Sequence, residues 1–406
     1  MSDSNVKILI NSLPKSLRPI ARFLRHQESA SGLSTTRYIQ DVSTCLIPKA
    51  AFSRSIEDLT ENTFLETSEE ALIYLTPAVL GEHIARKGFS QGLSGELKNE
   101  VAETGVNLLK KAEKNVLAKE NNKKVMPVKA AIALAATAIP LTEYSLNYIK
   151  NLMTLKLFNK SDFKNIASLE KNQEDKAHQE YVKNSAKKHI TGAAVTYAGM
   201  LGLAGLLATK GKNSKALQKI SEFIVAPGNK LFSKSEKAKN FVNKYFNMDF
   251  NKSKTGKLVL SKGQLTTCVL VGGCGYFGAS ADRGKENLKE TATRFPLVAL
   301  YVITGSELVE KGFKNILFKK NKCKDILNSK KDVTPFDKLD ELAQKLAKEK
   351  GTTIEEEFKS LVKQKGLIFG LPYLFALFVM GFFVAGMTVH ATKKRYENSK
   401  QMKAAA

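Results

Sequence analysis

Between Gly366 and Val389 the chain reads GLIFGLPYLFALFVMGFFVAGMTV, without one charged residue. An α-helix rises about 1.5 Å per residue, so this run can cross a hydrocarbon layer about 30 Å thick. Lys359, Lys363 and Lys365 precede it, and Lys393, Lys394 and Arg395 follow. Basic residues at both ends suit anchoring at the two polar interfaces. A water-soluble domain has no need of so long an apolar helix, and the run points to a chain that lives in a membrane.

Two further uncharged runs have the same character, Ile190–Thr209 and Gly263–Ala281, each flanked by charged residues. Three shorter runs, 71–89, 130–149 and 295–313, are interrupted by Glu82, Glu143 and Glu307, and carry Pro77, Pro140 and Pro296. Half-length apolar runs suit buried helices, re-entrant segments, or spans completed by protein-facing polar groups. The expected fold class is therefore all-α, a polytopic membrane protein with amphipathic helices in basic loops. Small residues punctuate the long runs, notably Gly199, Gly202, Gly275, Gly278, Gly366 and Gly370. Helices in lipid approach closely at such residues, which makes these six candidate packing positions, within one chain or between copies in a homo-oligomer.

The runs divide the chain into a basic N-terminal segment (1–70), a first membrane half (71–209), a basic helical loop (210–262), a second half (263–391) and a basic tail (392–406). A weak repeat supports two halves. Glu143 precedes Lys150-Asn151 and LFNKSDFKNI, while Glu307 precedes Lys314-Asn315 and LFKKNKCKDI. Three crossings in each half would give opposite orientations, as in inverted-repeat transporters. Within the loops, 214–247 reads as two short amphipathic helices parted by Pro227-Gly228. Thr334-Pro335-Phe336-Asp337 reads as a helix start, with Gly351 as its stop. Thr352 and Glu355 have the spacing of a capping box for the next helix. The basic stretch 13–25 is loosely amphipathic and reads as a short surface helix.

The 64 Lys and Arg residues against 39 Asp and Glu leave a net charge of +25. Lysine dominates this surplus and is spread through every loop. That argues against nucleic acid, which favours arginine for bidentate recognition, and for anionic lipid or protein partners at basic amphipathic loops. The four cysteines form no CxxC, and no two histidines stand at ligand spacing, so neither a metal nor a cofactor is expected. Cys268 and Cys274 read as small buried apolar residues. The N-terminus lacks the apolar core and cleavage site of a secretory signal, which fits direct insertion into a bacterial inner membrane.

Gly273-Cys-Gly275-Tyr-Phe-Gly278 satisfies the GxGxxG pattern of dinucleotide folds, but no acidic residue follows at the required distance and no strand–helix alternation surrounds it. The glycines fit a helix interface better. Glu143, Glu307 and Glu82 remain as candidates for an ion or proton site, because carboxylates at membrane depth mark such pathways. Glu82–Arg86 and Glu307–Lys311 have i,i+4 spacing for surface ion pairs, whereas Glu143 has no such partner downstream. No nucleophile stands in a recognisable catalytic context, and an enzyme is not expected. The sequence thus favours a non-enzymatic membrane scaffold with Lys-rich loops on anionic lipid. A small transporter using Glu143 and Glu307 is the alternative, and a soluble nucleotide-binding enzyme a second one.

Overall fold

The computed structural model describes residues 3–28, 32–79, 93, 116–248, 251–252 and 258–405. The protein is all-α. In chain order its longer helices are α1 (Asp3–Ser12), α2 (Arg18–Glu28), α3 (Gly32–Ala51), α4 (Ile56–Val79), α5 (Val116–Ala135) and α6 (Ala138–Phe158). There follow α7 (Lys176–Lys210), α8 (Lys215–Val225), α9 (Glu236–Phe246), α10 (Lys262–Asp282), α11 (Lys285–Leu300), α12 (Ser306–Lys319), α13 (Leu339–Lys350), α14 (Ile354–Phe375) and α15 (Val384–Ala405). The extended structure among the described residues is a two-residue antiparallel pair, 251–252 with 258–259, and a bridge between Leu327 and Val333.

Three helices are long and apolar enough to cross a membrane: Lys123–Phe158, Lys176–Asn213 and Ile354–Met402. They contain the expected runs 130–149, 190–209 and 366–389. In the first, 78% of the most apolar stretch is buried inside the protein, against 17% in each of the others. That difference makes α5–α6 an internal helix pair and leaves most of the apolar surface of the other two uncovered. Gly263–Ala281 also forms a single helix, α10, but glycines and polar residues dilute it below the other three. The run 295–313 is broken by Pro296 within α11 and by a π-helical turn at Tyr301–Gly305. Of 71–89, α4 covers the part up to Val79; the rest, with Glu82, lies outside the described residues.

The chain forms two compact units, one of 1–48 with 300–383 and the other of 49–299 with 384–406. This division differs from the expected halves 71–209 and 263–391. The reason lies in the N-terminal segment. Instead of lying free on a surface, α1 and α2 place Val6, Leu9, Ile10, Leu13, Ala21 and Leu24 in one apolar core with Leu317, Ile326, Phe336, Leu339, Phe358 and Leu361. Removing such side chains from water supplies roughly 25 cal/mol per Å² of apolar surface buried, which draws the basic segment inward. Glu28 adds a polar tie: the ammonium of Lys365, fully buried, lies 2.6 Å from its carboxylate and donates to the Thr334 carbonyl at 2.6 Å.

The helix signals of this unit are close to their expected places. After a 3-10 turn at Phe336–Lys338, α13 ends at Gly351 with φ +67°, a left-handed cap that suits glycine. The capping box falls one residue later than expected. Thr353, not Thr352, accepts from the Glu356 amide, and the Glu356 carboxylate accepts from the Thr353 amide.

In the second unit α6 is central, packing on α4, α7 and α10. Gly272, Gly275 and Gly278 of α10 meet Glu143, Tyr144 and Tyr148 of α6. A Cβ on Gly275 would lie 2.5 Å from the Tyr144 carbonyl oxygen and 2.8 Å from its Cα, so glycine sets how closely the helices approach. Gly199, Gly202 and Gly370 have open space where a Cβ would stand, and Gly366 has only an ordinary contact at 3.8 Å. Only Gly275 and Gly278 of the six expected glycines therefore act as tight packing positions within the chain. The C-terminal part of α7 and the apolar side of α8 close over α5 through Met126, Ala130, Leu134, Leu207 and Val225.

Candidate functional site

Residues 56–70 contain Glu57, Asp58, Glu61, Glu66, Glu69 and Glu70 and no Lys or Arg, an acidic helix start in a strongly basic chain. Three of these carboxylates, Asp58, Glu61 and Glu69, recur at helical spacing and so share one side of α4. That side meets α6, α10 and the loops beside them in a buried network of charges.

The innermost pair is Glu61 with Arg283, the residue that caps α10. The Arg283 side chain is 1% exposed, and its guanidinium grips both oxygens of Glu61, with Nη1 donating to Oε2 at 2.8 Å. The hydroxyl of Thr154, on α6, also donates to Glu61. Burial pushes the Glu61 carboxyl up, but the opposing charge and hydrogen bonds of Arg283 prevail and hold it below the ordinary 4.5. A second fork joins the start of α4 to α11. Arg54 donates to Glu290 at 2.8 and 3.0 Å and to Asp58 at 3.0 Å, while its guanidinium lies 5.1 Å from the centre of the Phe163 ring. Planar guanidinium groups suit such buried two-point pairs, which explains why arginine, scarce in this lysine-rich chain, stands at both places. At the periphery Lys160 donates to Glu57 at 2.8 Å, and Lys49 pairs with Glu66.

A cavity of about 50 Å³ lies within this network. Lys49, Arg54, Lys150 and Arg294 line it, together with Asp58, Glu61, Glu290, Asn287 and Tyr276. Lys150 is 4% exposed, and its ammonium lies 5.7 Å from the centre of the Tyr276 ring, a cation–π arrangement.

Of the three glutamates singled out in the sequence, Glu143 is the one held inside the second unit. It lies almost two helical turns before Lys150 on α6, pressed against Gly272 of α10; its Oε2 is buried and has no hydrogen-bond partner among the described residues. Cys268 of α10 and Glu69 of α4 are the groups that act on it. Burial pushes the Glu69 carboxyl up, with Lys150 pulling the other way. Glu307 lies exposed at the start of α12 in the first unit, and Glu82 lies outside the described residues. Cys268 is buried as expected, but Cys274 is exposed, because the α6-facing side of α10 is taken by its glycines.

The GxGxxG glycines lie within α10, one unbroken helix, rather than at a strand-to-helix turn. Their backbone amides are engaged in the helix and cannot cradle a pyrophosphate. The nucleotide-binding expectation loses its structural basis. Comparison with protein-family models, curated proteins and solved structures gives no match for this chain, so the functional reading rests on this geometry.

Proposed function

We propose that the chain is a multi-pass membrane protein whose second unit exchanges protons through the carboxylates Glu69 and Glu143. The observation that carries this reading is the Glu143 carboxylate itself. Among the described residues one of its oxygens lacks a hydrogen-bond partner where α6 packs on α10, and the charged group that acts on it is another carboxylate, Glu69. A charge at such a place is costly unless it is shared with a proton or a cation, and ionisable groups on apolar helices commonly belong to transport pathways. The cavity of about 50 Å³ lined by Glu61, Lys150 and Tyr276 lies in the same charged network and has room for a few water molecules. Glu307 has no part in this pathway, which replaces the Glu143–Glu307 pairing expected from the repeat.

The direct test uses the purified full chain in vesicles that contain a pH-sensitive dye. An imposed pH difference should collapse faster than in protein-free vesicles, and Glu143→Gln should slow that collapse at least tenfold. Equal rates for native and variant protein would remove the proton reading.

A membrane-organising role is the second reading, and one observation favours it. Directly after the Lys176–Asn213 helix, the segment 215–246 exposes Ile220, Phe223, Leu231, Phe232, Phe241 and Phe246 among Lys215, Lys219, Lys230, Lys234, Lys237 and Lys244. Apolar and basic side chains mixed at the end of a span suit the anionic headgroup layer, at roughly 1 kcal/mol per basic residue near the surface. Changing Lys219, Lys230 and Lys237 to glutamate would then weaken binding to anionic vesicles and leave Glu143→Gln silent.

A further inference from the structure

In the first unit, α2 presents two unlike sides. Ala21, Leu24 and Gln27 are its buried residues. With 3.6 residues per turn, Pro19, Arg22, Phe23 and His26 point the opposite way, and all four are exposed. Arg18 and Arg25 flank them on one edge, and Ile20, 43% exposed, on the other. The segment 13–27 holds Lys15, Arg18, Arg22 and Arg25 and no Asp or Glu, and three of the nine arginines of the chain stand on this one helix. The acceptors that Arg18 and Arg22 meet are neutral. Nε of Arg18 donates to the Leu13 carbonyl at 2.8 Å, and Nη2 of Arg22 lies 3.5 Å from Oδ1 of Asn11. Arg25 and His26 have interactions of their own.

Single exposed apolar side chains on a surface helix carry little meaning, but the place of these two does. α2 packs on α14 where that helix changes character. Up to Lys365, α14 supplies core residues such as Phe358, Leu361 and Val362. From Gly366 it is uncharged, and Leu367 and Leu374 are exposed. A Cβ on Gly366 would lie 3.8 Å from the Ile20 side chain, so the apolar edge of α2 adjoins the first residues of the long apolar run. In a bilayer this is the level at which the span enters the hydrocarbon. A helix at that level, with Ile20 and Phe23 on one side and arginines on the other, suits the headgroup layer. Guanidinium groups grip phosphate oxygens at two points and are weakly hydrated, which favours arginine over lysine there.

We propose that the outer face of α2, with Arg18, Arg22, Ile20 and Phe23, docks on the headgroup layer of the bilayer and holds the phosphates of anionic phospholipids. This docking rests on the membrane location of the chain, and not on proton exchange at Glu143 or on the segment 215–246.

The chain has no tryptophan, so Phe23→Trp in the full chain provides a single fluorescent reporter. The variant is reconstituted into phosphatidylcholine vesicles, with and without phosphatidylglycerol, and into vesicles of lipids brominated near the top of the acyl chains. Brominated lipid should quench at least half of the indole emission. Phosphatidylglycerol should lower quenching by aqueous acrylamide at least twofold, and Arg18→Gln combined with Arg22→Gln should cancel that protection. Emission that acrylamide quenches freely and brominated lipid leaves unchanged would overturn the proposal. Emission shielded from both quenchers would overturn it equally and would put a second copy of the chain on this face. Protection by phosphatidylglycerol that survives both arginine substitutions would overturn the phosphate contact. Should Phe23→Trp not fold, Ile20→Trp decides by the same measurements. An alkaline wash of the same vesicles separates the two levels of the argument. A chain released by alkali would overturn the membrane location and the docking together, whereas a retained chain with an unquenched indole would overturn the docking alone.

Discussion

Glu61 and Arg283 show how much depends on single side chains in the second unit. Each is buried, so removing one partner strands the charge of the other. Arg283→Met should destabilise the protein by about 3–5 kcal/mol, whereas replacing both by apolar residues of similar size should cost far less. Thermal unfolding of the two variants in detergent checks this; equal losses would mean that the pair does not act as a unit. The sign of the pH effect follows from the direction of the shift. Because the folded-state carboxyl of Glu61 is held below its ordinary 4.5, its contribution is complete above pH 4.5 and is lost as pH falls further. Glu69 is shifted the other way, so its contribution is greatest in acid and declines as pH rises above 4.5. Glu61→Gln should therefore remove part of the acid-induced loss of stability, and Glu69→Gln should flatten the loss above 4.5. Acid and neutral melting curves of these variants that parallel the native ones would contradict both assignments. Neither residue stood out in the sequence as a site, since charge pairing across four helices has no local spacing. The legible traces were an acidic stretch without Lys or Arg and the rarity of arginine in this chain.

At the scale of elements, α6 and α10 pack closely because glycine recurs along one side of α10. Gly275→Ala would force a methyl group against the Tyr144 backbone and should cost about 1–3 kcal/mol, while Gly199→Ala meets open space and should be near neutral. The relative melting temperatures of the two variants test this, and a neutral Gly275→Ala would show that the helices can separate freely. Glycine content was visible in the sequence, but which glycines face a neighbour depends on the partner helix, which periodicity alone does not name. The capping box shows a similar limit. Both Thr352–Glu355 and Thr353–Glu356 fit the motif in TTIEEE. The preceding helix decides between them, because its left-handed Gly351 is followed by a Thr352 amide that donates back to the Ala347 carbonyl. Thr352 thus closes α13 and Thr353 opens α14. Thr353→Ala should then cost about 1 kcal/mol and Thr352→Ala less in chemical denaturation; the reverse order would place the cap at Thr352.

For the whole molecule, the all-α class and three of the long apolar segments were legible because length and hydropathy are properties of contiguous residues. The division into two units was not, because it depends on α1 and α2 returning to a core formed by residues beyond 300. Glu307 illustrates the consequence. The repeat in the sequence paired it with Glu143, yet the two side chains belong to different units and differ in burial. The 190–209 and 366–389 runs leave most of their apolar surface uncovered by protein, the observation on which the proposal of a membrane location rests. Membranes containing the expressed full chain, washed at alkaline pH, test that placement most directly. Retention in the pellet, with release only by detergent, is the result expected of integral spans. Release into the supernatant by alkali alone would contradict it.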